Sequence, residues 1–66
     1  MDSRIQRLLN YIDTENVSIL DDFERGIIDM GQADNFLSCY SIILSWIEEI
    51  YEIDTSDYRA KCVLKN

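Results

Sequence analysis

Asp34-Asn35-Phe36-Leu37-Ser38-Cys39-Tyr40-Ser41-Ile42-Ile43-Leu44-Ser45-Trp46-Ile47-Glu48-Glu49-Ile50-Tyr51-Glu52-Ile53 is the stretch whose reading decides the fold. Advanced by 100° per residue, the turn of an α-helix, its side chains separate onto two sides. Ser38, Ser41, Ser45, Glu48, Glu49 and Glu52 fall within about 100° of arc, and apolar residues fill most of the rest, roughly 220°. A helix packed against one neighbour needs an apolar stripe of only about 100°. The stretch therefore predicts a helix over 34–53 that is mostly buried and contacted from two directions. Two heptad-like lines run along it: Phe36, Tyr40, Ile43, Ile47, Ile50, and beside them Cys39, Ile42, Trp46, Ile53.

Upstream, Ile5, Leu8, Leu9 and Ile12 recur at helical spacing and predict a helix over 3–13, with Ser3 and Gln6 in a capping-box pattern. The polar run Asp13-Thr14-Glu15-Asn16 reads as a break. After it, Leu20, Phe23, Ile27 and Met30 predict a helix over 17–30, capped by Asn16 or Ser18 and stopped by Gly31. Gly26 inside that helix costs about 1 kcal/mol relative to Ala. Downstream, Tyr58, Ala60, Cys62 and Leu64 alternate as in a strand, but Ser56 as a cap with Tyr58, Cys62 and Leu64 also suits a short helix over 56–65. The helix is favoured, because a lone strand has no partner here and Lys61 and Lys65 complement a helix C-terminus. The expected fold is all-α: one domain over 1–66, a small bundle of three to four helices around a long third helix. Two short amphipathic helices cannot cover both flanks of that helix, so a homodimer is expected.

A chain of 66 residues builds a core that supplies about 3 to 5 kcal/mol, so something must supplement it. An apolar share of 47% places the chain among folded domains rather than disordered segments. There is no histidine, and Cys39 and Cys62 are 23 residues apart, which excludes zinc sites of four cysteines or of two cysteines and two histidines. No metal and no cofactor is expected. The N-terminus shows no export-signal pattern, so both thiols are expected free, the setting cytoplasmic, and the Asn16-Val17-Ser18 glycosylation triplet incidental. No run of 18 uninterrupted apolar residues predicts a membrane span.

Charge is the main functional clue. The formal net charge is −7, but residues 13–57 hold 12 carboxylates against the single cation Arg25, a balance of −11, and the remaining charges sum to +4 at the two ends. Binding nucleic acid directly requires several Lys or Arg in one footprint, and that footprint is missing. A protein partner with a basic surface is expected instead, since complementary charge speeds encounter and excludes wrong partners. Asp21, Asp22 and Asp29 on the second predicted helix, with Glu48, Glu49 and Glu52 on the third, are the candidate electrostatic contacts. Presented on one side, they would imitate a row of phosphates, as DNA mimics do. The simpler alternative is that the acidity only keeps a small protein in solution.

Catalysis is not expected. Ser-His and Cys-His nucleophiles need histidine, no lysine lies in the apolar body, and so small a chain has little room for a pocket of about 300 Å³ beside its core. Glycine-rich phosphate loops are absent. Asp13, Glu15, Asp21 and Glu24 fall at positions 1, 3, 9 and 12 of a calcium-loop window, but Val17 at position 5 and Ser18 at position 6, where glycine makes the turn, break the match. Tyr40, Trp46 and Tyr51 could anchor a partner or pack in a core, and with Ile43, Ile47 and Ile50 they are the candidate apolar contacts. A homodimer would satisfy both roles.

The order of a short helix, a segment beginning Asp21-Asp22-Phe23-Glu24-Arg25-Gly26-Ile27, and a long helix after Asp34-Asn35-Phe36-Leu37 distantly resembles, over fragments only, the small Hha-type co-regulators that bind nucleoid proteins. The acidic balance, the missing basic patches and the apolar run Ile42 to Leu44 depart from that pattern, so no function is carried over. The expected function is a non-enzymatic regulator or inhibitor, of the size of phage, plasmid or bacterial accessory proteins, that blocks a basic protein surface. The alternative is an assembly or adaptor module whose apolar third helix is the working surface.

Overall fold

The computed structural model describes residues 2–64 and is all-helical, with no strand among them: α1 spans Ser3–Glu24, α2 spans Met30–Tyr51 and α3 spans Ser56–Ala60. The two long helices, joined through residues 25–29, pack against each other as an antiparallel hairpin. The molecule measures 37 × 17 × 15 Å, the length of one such helix by the width of two.

The two helices expected over 3–13 and 17–30 are corrected to one. Between Ser3 and Glu24 there is neither glycine nor proline, and polar residues alone do not end a helix when they can face solvent. Thr14 and Glu15 do so, with the Thr14 hydroxyl donating back to the Asn10 carbonyl at 2.9 Å. Asn16, expected as a cap, is instead 1% exposed in the core. The line Ile5, Leu9, Ile12, Asn16, Ile19, Phe23, spaced alternately by four and three, is continuous only through that asparagine. The N-cap is Asp2 rather than Ser3, its carboxylate accepting from the Arg4 N–H at 2.8 Å.

The glycines exchange roles. Gly26 lies just past α1 with φ +74, its N–H bonds the Phe23 carbonyl at 3.1 Å, and the Ile27 N–H reaches Asp22 at 2.9 Å. Those two bonds are a Schellman ending, which favours glycine at the left-handed position. Gly31, expected as a stop, sits in the first turn of α2, and Met30, expected as a helix end, begins it. Asp29 and Gln32 close a reciprocal capping box there: Gln32 N–H to Asp29 Oδ1 at 2.8 Å and Asp29 N–H to Gln32 Oε1 at 3.0 Å.

The long helix expected over 34–53 is thus the second helix, beginning at Met30 and ending at Tyr51. Its burial is also corrected: within one chain only Ala33, Leu37, Leu44 and Ile47 are buried. These join Leu9, Ile12, Ile19 and Cys62 in the core. The tail expected as a helix over 56–65 is helical only at Ser56–Ala60, and Lys65 lies outside the described residues.

Candidate interaction surface

Side chains on both long helices hold α3 and the residues after it against one side of the hairpin. Glu48 is the main anchor: its Oε1 accepts from the Thr55 N–H and from Arg59 Nη2, each at 3.1 Å. Thr55 is fully buried, and its hydroxyl donates to the Leu44 carbonyl at 3.3 Å. From α1, Gln6 donates to the Tyr58 hydroxyl at 3.1 Å and Asp13 accepts from Lys61 at 3.0 Å. Asn16 Nδ2 donates to Cys62 Sγ at 3.0 Å, while the buried Asn16 Oδ1 has no partner. Burial pushes the Cys62 thiol pKa above its ordinary value, against the opposing bond from Asn16. Both cysteines are unbridged, Cys39 exposed and Cys62 buried.

Among the described residues nothing covers the opposite side of the hairpin, and part of the exposed apolar surface of α2 lies there, while Met30 and Ile42 line a hollow beside Cys62, Val63 and Leu64. The side chains of α2 sort into two lines, each spaced alternately by four and three. The inner line, Ala33, Leu37, Tyr40, Leu44, Ile47, packs toward α1. The outer line, Phe36, Cys39, Ile43, Trp46, Ile50, lies about 100° around the helix from it. Phe36 is 50% exposed, Trp46 57% and Ile50 72%. Leu8 and Tyr11 of α1, also exposed, fall on the same open side, away from the positions that meet α3.

No known protein family, curated protein or solved structure matches the chain. The surface must therefore be judged by its own chemistry.

The structure divides both groups of sequence-predicted contacts. Among the apolar ones, Ile43, Trp46 and Ile50 form the outer line and Tyr51 is exposed at the end of α2, but Ile47 is 5% exposed in the hairpin core and Tyr40 is half-buried beside it. Among the acidic ones, Asp21 and Asp22 close α1 and Asp29 caps α2, whereas Glu48, Glu49 and Glu52 lie at the far end of α2. Asp29 and Glu48 are separated by nearly the whole helix, on the order of 28 Å at 1.5 Å per residue. Three of the six are engaged within the chain: Asp21 pairs with Arg25 at 3.1 Å, Asp29 holds the capping box and Glu48 anchors α3. Phe36 and Cys39 were missed as surface contacts, because the inner and outer lines can be told apart only once the direction of α1 is known.

Among the described residues no helix is long and apolar enough to cross a membrane, and no group of three or more His, Cys, Asp or Glu side chains is placed to hold a metal ion.

Proposed function

We propose that this chain is a non-enzymatic protein-interaction module that works through the outer line of α2. The observation that carries this is the pairing of two properties on one surface. Phe36, Trp46 and Ile50 are exposed, with the half-buried Ile43 between them, in an apolar strip at coiled-coil spacing, and α2 bears no charge between Asp34 and Glu48. An isolated exposed apolar side chain is ordinary, but a continuous strip rimmed by polar residues marks a protein interface. Knob-like residues at alternating spacings of three and four fit an apolar helix laid alongside. The test is retention of host proteins by the wild-type chain against Trp46→Asp and Ile50→Asp at low and high salt. Loss of a specific protein with both variants, little affected by salt, supports the proposal. Retention undiminished by either variant overturns it.

A second function is favoured by the acidic end of the hairpin. Asp21, Asp22, Glu24 and Asp29 gather around the α1 to α2 connection, with Arg25 as the neighbouring cation. This is where a regulator or inhibitor of a basic protein surface would make contact. Binding of that kind weakens steeply with salt and is abolished by reversing Asp22 and Glu24. A single phosphate-like row is less well supported, because the two carboxylate groups stand at opposite ends of α2.

A further inference from the structure

We infer that the open face of the hairpin is covered by a second copy of this chain, antiparallel to the first, closing a four-helix bundle. This rests on the outer line being the working surface and names its occupant.

The angle between the two lines of α2 is the first reason. In a square bundle each helix meets two neighbours at about 90°, and α2 presents its inner and outer lines about 100° apart. One line is taken by α1, and the other awaits a helix of the same kind. For two antiparallel α2 helices the two-fold axis lies perpendicular to them, so both α1 helices fall on the same side and meet each other. A parallel pair would send the α1 helices to opposite sides and leave Leu8 and Tyr11 uncovered.

The side chains supply the second reason. On α1, Arg4, Leu8, Tyr11 and Glu15 form a line at alternating spacings of four and three on the open side, all exposed. Antiparallel pairing centred between Leu8 and Tyr11 sets Leu8 beside Tyr11 of the second copy and Arg4 beside Glu15. Following the hairpin across from that centre reaches α2 near Leu44, within about one residue. There the same two-fold sets Ile43 beside Trp46 of the second copy and small Cys39 beside Ile50. One axis thus satisfies both helix pairs, in size on α2 and in charge on α1. The uncharged stretch between Asp34 and Glu48 brings no like charges together at the centre. A parallel pair, with its α1 helices on opposite sides, would make neither the Leu8 to Tyr11 nor the Arg4 to Glu15 contact. The axis lies about 6 Å from the middle of α1, so the two copies overlap over roughly 25 Å of the 37 Å length. That overlap takes in Leu8, Tyr11, Ile43, Trp46 and Ile50 and makes a small interface beside the about 800 Å² per partner of standard ones.

Sedimentation equilibrium of the full chain, with circular dichroism to confirm helicity, tests this. The wild type is expected to be a dimer, and Trp46→Asp and Ile50→Asp helical monomers. Arg4→Glu and Glu15→Arg should each weaken the dimer about fivefold, although they change net charge in opposite directions, and the double variant should restore it. Unchanged dissociation constants for both single variants would overturn the antiparallel arrangement. A wild-type monomer at millimolar concentration overturns the second copy while leaving the outer line free for another protein. A dimer that survives both Trp46→Asp and Ile50→Asp overturns the outer line as its interface.

Discussion

Replacing each glycine by alanine separates the observed hairpin from the helix boundaries that periodicity alone predicts, because the two assign opposite signs. At Gly26 the backbone has φ +74, and a Cβ there would meet nothing within 4 Å. The cost is therefore conformational. An L-residue in the left-handed region loses about 1 to 2 kcal/mol, offset in part by the smaller entropy of the unfolded alanine chain, about 0.4 to 1 kcal/mol. Gly26→Ala is expected to destabilise by about 1 kcal/mol. Gly31 lies in the first turn of α2, where a Cβ would stand 3.4 Å from Asp29 Oδ1, an ordinary contact. Gly31→Ala should then stabilise by roughly 0.5 to 1 kcal/mol through the usual helix preference. For a domain this small, 1 kcal/mol moves the melting temperature by about 4 to 8 °C. Thermal unfolding followed by circular dichroism at one fixed chain concentration should show Gly26→Ala several degrees below wild type and Gly31→Ala several degrees above. A rise with Gly26→Ala and a fall with Gly31→Ala would mean that the chain is helical through Gly26 and stops at Gly31, and the hairpin would be refuted.

Asn16→Leu should be neutral or stabilising by about 1 kcal/mol in urea unfolding, since it removes a buried carbonyl oxygen without a partner and keeps the branched shape, while Cys62 keeps its bond to the Tyr58 carbonyl; a loss above about 2 kcal/mol would show that the amide is better satisfied than its surroundings indicate. Glu48→Ala removes the acceptor for the Thr55 N–H and Arg59. It should cost about 1 kcal/mol after discounting an ion pair whose side chains are about one-third exposed, with hydrogen exchange accelerating at Thr55 and Arg59 while Leu9 and Leu44 stay protected; uniform protection would refute the anchoring role. In the Ile50→Asp monomer a thiol reagent should modify Cys39, exposed in the single chain, well before buried Cys62. Because the folded Cys62 holds its proton more tightly than the unfolded thiol, its contribution to stability is full at neutral pH and is lost as pH rises above the ordinary thiol range. Alkaline unfolding that is unchanged by Cys62→Ala would remove that contribution.

The helical class and the doubly apolar character of residues 34–53 were legible because both are properties of spacing along one segment. The boundary between the first two helices was not. Asp13-Thr14-Glu15-Asn16 has the composition of a break, and only the heptad continued through Asn16 shows that the helix runs on. That continuation becomes visible when Asn16 is allowed in the core, where its amide meets Cys62, 46 positions away. The capping box at Asp29 and Gln32 is a local signal, but the helical spacing of Leu20, Phe23, Ile27 and Met30 competes with it by placing Met30 at a helix end. The apolar arc of α2 is broad enough to face two ways, yet spacing alone distributes its residues between the wrong lines. A rotation of one residue, 100°, exchanges Ile47 for Trp46, and nothing within α2 sets that rotation. The position of α1 sets it.

Acidity and the uncharged outer line act against each other, which gives the surface its selectivity. Two chains of net charge −7 repel at a distance, so weak, unspecific apolar contacts between copies are discouraged and only a well-fitted interface overcomes the field. Raising salt screens that repulsion. Association through the outer line should therefore hold or tighten as salt is added, even as the Arg4 to Glu15 pairs weaken. Association of the acidic hairpin end with a basic protein should loosen. The sign of the salt dependence thus reports which surface is engaged, and the two can operate together, since the acidic residues around the α1 to α2 connection lie at the end of the bundle rather than on the face that a second copy would cover.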